Sequence, residues 1–88
     1  MGQTRISARE PRYAPVELIP LDGGGEFAVT QDWFDELERL YPAVDAIQTF
    51  REIRGWSLAN PTRRKTVRGI RRFIYSWFAR EQRRAEKA

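Results

Sequence analysis

The chain of 88 residues carries 41% hydrophobic and 32% charged side chains, which fits one small globular domain with a modest core. It has no cysteine and no histidine, so disulfides, thiolate metal sites and histidine-based catalysis are excluded. The formal net charge is +4, and 14 of the 16 basic residues are arginine, the side chain best suited to phosphate. We therefore expect no enzymatic activity, no cofactor and no small-molecule ligand.

No apolar run approaches the roughly 18 residues that a membrane span requires, and the N-terminus lacks the apolar segment of a signal peptide. We therefore expect an intracellular protein without membrane contact.

Residues 1–15 contain two prolines and mixed charge without apolar periodicity, which is typical of a flexible arm. Its arginines, Arg5, Arg9 and Arg12, are long enough to touch a phosphate backbone, but we favour a solvated tail.

Residues 16–29 have the pattern of a short β-hairpin, with a return strand over residues 26–29. Asp22 and the three glycines after it supply the positive φ angles that a tight turn needs. Three glycines also suggest a phosphate-binding loop, but the Walker lysine and a directly following helix are missing, so we favour the turn. Pro20 has no N–H group and must lie at a strand end or a sheet edge.

A first helix is predicted over residues 31–41, because Thr30 is a favourable N-cap and a stripe of apolar residues follows it. Its remaining surface carries four carboxylates: Asp32, Asp35, Glu36 and Glu38. Such a density can bind a divalent metal ion. Negative charge near a helix N-terminus is favourable on its own, however, so we favour a solvated face and no metal site.

A second helix is predicted over residues 43–59, with Pro42 at its first turn. Its apolar residues recur every three positions from Val44 to Trp56, so the stripe drifts around the helix and must meet more than one neighbour. Gly55 costs up to about 1 kcal/mol relative to alanine inside a helix. We interpret it as the site of a close helix crossing.

A third helix is predicted over residues 66–83, capped by Thr66, and residues 85–88 are expected to fray. Its apolar pattern is the clearest in the chain and consists of Val67, Ile70, Ile74 and Trp77, with Phe73 and Phe78 beside them. We expect Trp56, Phe73, Ile74 and Trp77 to be buried together. The sequence thus predicts a mainly α fold, a three-helix domain preceded by a short β-hairpin, as a single domain over residues 16–84.

Charge is distributed unevenly along the chain, because residues 61–88 hold 10 basic and 2 acidic side chains. A basic loop there leads into the N-terminus of the third helix, whose dipole and N–H groups favour phosphate. Contact with phosphates does not require recognition of a base sequence. A helix-turn-helix does recognise bases, but the short glycine-containing turn of that motif is missing here, so we favour phosphate contact. The candidate nucleic-acid-binding residues are Arg63, Arg64, Lys65, Thr66, Arg68, Arg71, Arg72 and Tyr75, the last as a surface on which a base can stack. Two alternatives stay open: a solvated basic face paired with the acidic first helix, and an acidic protein partner.

Three sequence elements, weak singly, form a specific pattern when taken together: Tyr41-Pro42, Asn60-Pro61-Thr62-Arg63-Arg64-Lys65-Thr66, and Gly69-Ile70-x-x-Phe73-Ile74-x-x-Trp77. This pattern resembles the C-terminal module of phage and prophage replication proteins of the replisome-organiser or helicase-loader type. The resemblance covers about residues 18–82. Such proteins are usually longer, with a separate DNA-binding domain ahead of the module, whereas a short arm stands there in this chain. We therefore expect no N-terminal origin-binding domain.

The resemblance implies a non-catalytic role in phage DNA replication in the cytoplasm of a bacterial host, and it implies no catalytic residues. The first hypothesis is a DNA-binding or replication-accessory module that uses its basic helix face. The second hypothesis is a small phage protein-interaction module that docks on a host replication protein, such as the replicative helicase, or on a host defence complex and modulates it.

Overall fold

A computed structural model describes residues 14–88, in which two strands are followed by three helices. The strands are β1 (Glu17–Pro20) and β2 (Glu26–Val29), and the helices are α1 (Gln31–Leu40), α2 (Ala46–Ala59) and α3 (Ile70–Lys87). The predicted fold class, mainly α with a hairpin before three helices, is confirmed. The predicted arm over residues 1–15, with Arg5, Arg9 and Arg12, lies outside the described residues except for its last two positions.

The hairpin forms where the sequence predicts it. β1 and β2 pair in antiparallel register, with Glu17 opposite Val29 and Pro20 opposite Glu26. The three glycines of the turn, residues 23–25, have φ angles of 88°, 96° and 78°, which other residues rarely adopt. Pro20 is the last residue of β1, where its missing N–H costs no ladder bond.

Helix α1 begins after Thr30, whose hydroxyl accepts a hydrogen bond from the backbone N–H of Trp33 at 3.3 Å, as its predicted cap role requires. Phe34 and Leu37 are buried on its inner side. Leu40, which the apolar stripe includes, is about half exposed because the helix ends there.

Helix α2 starts three residues later than predicted. Asp45 is its N-cap and accepts a hydrogen bond from the N–H of Gln48 at 3.1 Å. Pro42 therefore lies in the connection before the helix and not in its first turn. A side-chain oxygen that satisfies a free N–H fixes the start of a helix more firmly than the φ preference of proline does.

Helix α3 also differs from its predicted bounds. Residues 66–69 form a turn that leads into it, with the N–H of Ile70 bonded to the carbonyl of Thr66 at 2.9 Å. At the other end the helix continues to Lys87, so the predicted fraying of residues 85–88 is wrong for all but the last residue. A side-chain hydrogen bond of 2.8 Å from Gln82 to Glu86 supports this extension.

Within residues 14–88, no helix is both long and apolar enough to cross a membrane.

One hydrophobic cluster joins all five elements. Its fully buried side chains come from both strands and from each helix: Ile19, Val29, Leu37, Ile53, Ile70, Ile74 and Phe78, with Phe50 almost fully buried. The rings of Phe50 and Phe78 lie 5.1 Å apart at its centre. The pairing of α2 with the hairpin is reinforced by Arg54, which donates to the carbonyl of Leu18 and lies 3.4 Å from a carboxylate oxygen of Glu26.

The predicted burial of Trp56, Phe73, Ile74 and Trp77 is only partly correct. Their rings do gather, with centroids of Trp56 and Phe73 5.2 Å apart and those of Phe73 and Trp77 5.6 Å apart. Only Ile74 is fully buried, however, and the three aromatic side chains are half-buried. Val67 is 69% exposed because it lies in the turn before α3 and not on the helix.

Gly55 has no close neighbour in this fold, which contradicts the predicted helix crossing. A Cβ atom at this position would meet no other heavy atom within 4 Å. We expect Gly55→Ala to raise the free energy of unfolding by up to about 1 kcal/mol, because alanine loses less backbone entropy in a helix. Urea denaturation followed by circular dichroism measures the change.

Gly24→Ala provides the matched control for that substitution. Its site is equally open, but φ is +96°, so the same added methyl group is expected to destabilise the protein. A loss of stability in Gly55→Ala comparable to that in Gly24→Ala contradicts the prediction.

Candidate nucleic-acid interface

The loop before α3 uses two of its predicted phosphate-binding side chains inside the protein. The guanidinium of Arg64 donates to the carbonyl of Ser57 at 2.9 Å. The ammonium of Lys65 lies over two rings, 4.8 Å from the centroid of Phe73 and 5.6 Å from that of Trp56. The carbonyl of Lys65 also accepts the N–H of Asp22 at 2.9 Å. Lys65 and Arg64 therefore hold the loop in place, which reduces what they can offer to an external phosphate.

The N-terminus of α3 is less open than the sequence predicts. The N–H of Ile70 bonds to the carbonyl of Thr66, and that of Phe73 bonds to the carbonyl of Gly69 at 3.1 Å. The Thr66 hydroxyl accepts the N–H of Gly69 at 3.2 Å. The N–H groups of Gly69 and Ile70 and this hydroxyl are thus already occupied by the preceding turn, which leaves fewer backbone donors at the start of α3 for an anion.

Tyr75 and Arg71 contact the aromatic side chains between α1 and the hairpin; Tyr75 is half-buried, whereas Arg71 remains exposed. The hydroxyl of Tyr75 accepts a hydrogen bond from the indole N–H of Trp33 at 3.0 Å, and its ring meets the Trp33 ring edge-on at 5.7 Å. The Arg71 guanidinium lies 5.3 Å from the Trp33 centroid and 5.4 Å from that of Phe27. The prediction that Tyr75 is exposed on a basic face is therefore wrong. The helical period groups Tyr75 with Arg72 on one face, but only the packing shows that Tyr75 contacts Trp33.

Three predicted residues remain fully available. Arg63, Arg68 and Arg72 are exposed. Within the part of the chain that the structure describes, their side chains make no hydrogen bond, ion pair or ring contact. Arg63 and Arg68 lie before the start of α3 at Ile70, whereas Arg72 lies within its first turn.

The larger basic surface of α3 extends further along the helix, and all of its residues except Arg72 are ones that the sequence analysis did not select. We call it the basic stripe; it consists of Arg72, Arg80, Arg83, Arg84 and Lys87, all exposed. At 100° per residue these five positions fall within an arc of about 120° on the side opposite the buried residues of α3. The two acidic residues of the helix, Glu81 and Glu86, fall outside this arc. The stripe extends about 22 Å along the axis.

Most of the positive charge of the basic stripe is uncompensated. Among residues 14–88 its only ion pair joins Arg84 to Glu81 of the same helix at 3.3 Å, and the Arg84 side chain is 73% exposed. Such surface pairs contribute at most about 1 kcal/mol and give way readily to a better anion. Arg80 lies over the Trp77 ring, 5.8 Å from its centroid, which orients the guanidinium. Four of the five side chains, Arg80, Arg83, Arg84 and Lys87, line a shallow concavity of about 240 Å³.

The spacing of these arginines was a usable sequence signal. Positions 72, 80, 83 and 87 repeat on one helical face, but the signal depends on the helix continuing to Lys87. A helix that ends at residue 83 contains only the first three of these positions, so the repeat is harder to recognise. The structure thus moves the centre of the basic surface from the start of α3 to its middle and C-terminal half.

Two of the four carboxylates of α1 interact with residues of their own helix. Asp35 accepts a hydrogen bond from the Gln31 amide at 2.9 Å, and Glu36 pairs with Arg39, which raises the pKa of that guanidinium. Asp32 also has an interaction partner. In residues 14–88 no three acidic side chains come together in a way that suits a metal ion. Within residues 14–88, Arg63, Arg68 and Arg72 make no ion pair, so the alternative of a basic face paired with the acidic first helix gains no support there.

Comparisons with protein-family models, with curated proteins and with solved structures found no match to this chain.

Proposed function

We propose that this protein is a non-catalytic nucleic-acid-binding module that grips the phosphate backbone of DNA with the basic stripe of α3. The observation that carries the proposal is the long, exposed and almost unpaired row of cations on one rigid helix. Cations in such a row replace condensed counterions along a polyanion, which gives affinity without base contacts. Arg63 and Arg68 add two exposed cations in the segment before the start of the helix.

The resemblance to phage replication proteins gives this binding activity a biological setting. A module of this kind would hold DNA during the assembly of a replication complex in the cytoplasm of a bacterial host. The motif residues contribute to this role indirectly. Lys65, Phe73 and Trp77 pack together and orient α3, while the arginines of the stripe supply the contact.

A second candidate function is docking on a host replication or defence protein, and one observation favours it. The outer side of α2 carries Ile47 and Leu58, each about half exposed, with Arg51 between them and Gly55 beside them. A glycine in open space permits close approach by another backbone. Under this alternative Gly55→Ala stabilises the free protein and weakens partner binding, whereas DNA binding is unchanged.

The salt dependence of DNA binding tests the proposed function. With four to six phosphate contacts, the slope of log affinity against log salt concentration is expected to be roughly −4 to −5 on a duplex. Fluorescence anisotropy with a labelled 20-base-pair DNA between low and moderate salt measures this slope. Absence of binding at low salt, or binding that ignores salt, contradicts the proposal.

A further inference from the structure

The described aromatic side chains offer no surface on which a nucleic-acid base can stack. Within residues 14–88 every Phe, Tyr and Trp ring is at least half-buried, and none belongs to the fully exposed class. Tyr75 is bonded to Trp33, and Trp77 packs edge-on against Phe73. The arc that contains the basic stripe holds, besides its five cations, Ser76 and the half-buried Phe73, whose ring contacts the Lys65 ammonium and the Trp77 ring. This combination of many cations with no stacking platform discriminates between kinds of nucleic acid.

Single strands bind to proteins mainly through two contributions, backbone charge and base stacking on aromatic rings. The basic stripe supplies only the first. A flexible single strand that lies along a straight helix loses conformational entropy, and no stacking offsets this loss. A duplex is already ordered and presents one negative charge per about 1.7 Å of axis, twice the density of one strand. The stripe therefore gains more from a duplex than from a single strand.

The form of the duplex follows from the dimensions of the helix. An α-helix with its side chains is about 10–12 Å across, and the major groove of B-form DNA is about 12 Å wide. Ser76, exposed and small, lies midway between Arg72 and Arg80 along α3, so this part of the stripe is narrow enough to enter a groove. The cations on either side can then reach the phosphates of both strands. The deep, narrow major groove of A-form RNA does not admit a helix.

We propose that α3 selects double-stranded B-form DNA over single-stranded DNA and over double-stranded RNA, with Ser76 facing the groove and the basic stripe spanning its two phosphate walls. This inference rests on the proposed function, because it assigns a ligand class to the same surface. It adds that the selectivity comes from the absence of an exposed ring and from a small residue between Arg72 and Arg80 in the stripe.

The test uses the full chain and three labelled probes of one sequence: a 20-base-pair DNA duplex, its 20-nucleotide single strand and the corresponding RNA duplex. We expect the DNA duplex to bind at least 10-fold more tightly than either other probe at the same salt concentration. Equal or tighter binding of the single strand or of the RNA overturns the inference and leaves the proposed function standing. Failure of all three probes to bind overturns both.

Substitution of Ser76 separately tests whether this residue faces a DNA groove. Ser76→Trp places a large ring in the part of the stripe that would enter a groove, which is expected to weaken duplex DNA binding at least 5-fold and to leave single-strand binding unchanged or stronger. Ser76→Ala is the matched control and is expected to bind both DNA probes like the original protein. Because Ser76 is exposed, circular dichroism is expected to show the same fold for both variants. Equal losses on duplex and single strand contradict the placement of Ser76 in a groove.

Discussion

Replacing Phe78 with alanine is expected to lower the free energy of unfolding by about 3–5 kcal/mol. Phe78 has no exposed surface, and its ring lies 5.1 Å from that of Phe50 and 5.8 Å from that of Tyr41. Removal of the ring therefore leaves a cavity where α1, α2 and α3 meet. Domains of this size are marginally stable, so a loss of this magnitude removes most of the folded population.

Urea denaturation followed by near-ultraviolet circular dichroism measures this effect, with Trp77→Ala as the control. Trp77 adjoins Phe78 in sequence but is only half-buried, and its indole N–H, although buried, has no hydrogen-bond partner. We expect Trp77→Ala to cost less, since Trp77 is only partly buried whereas Phe78 has no exposed surface. A cooperative transition of Phe78→Ala at the original urea concentration, or a larger loss in Trp77→Ala, contradicts this description of the core.

Features set by neighbouring residues were predictable from the sequence. The N-cap role of Thr30 depends on one hydroxyl and an N–H three residues away, and the turn depends on glycines that tolerate positive φ. Both follow from local stereochemistry, and both are confirmed. The apolar periodicity correctly predicted three helices, because each needs one side to bury.

Features set by packing were not predictable in the same way. The sequence does not reveal that Tyr75 faces Trp33, because an amphipathic pattern gives the width of the apolar side only approximately. A second reason is that lysine and arginine can either pack against aromatic rings or extend into solvent. Lys65 and Arg71 lie over aromatic rings, whereas Arg72, one residue further on, makes no ring contact within residues 14–88. Charge alone gives all three the same prediction.

Reversal of two charges in the basic stripe is expected to cause the largest loss of DNA affinity. The double variant Arg72→Glu/Arg83→Glu replaces two exposed cations about 16 Å apart along α3 with anions. It removes two phosphate contacts and adds repulsion, so we expect a 10- to 100-fold loss of duplex affinity at low salt, or about 1.4–2.8 kcal/mol. Anisotropy titration measures the loss. Neither residue packs in the core, so the melting temperature is expected to stay within a few degrees.

Two further double variants change the net charge by the same amount and decide where the site lies. Arg63→Glu/Arg68→Glu reverses charges ahead of α3, in the N-terminal part of the site that the sequence predicts, and Arg5→Glu/Arg9→Glu reverses charges in residues 1–15. We expect the first to lose less affinity than the stripe variant, because its residues lie outside the stripe, and the second to lose least. Equal losses in all three mean that net charge attracts DNA and that no site exists. If Arg63→Glu/Arg68→Glu loses the most DNA affinity, the site lies in the loop before α3. In that case α3 holds the loop in place through the contacts of Lys65 with Phe73 and Trp56.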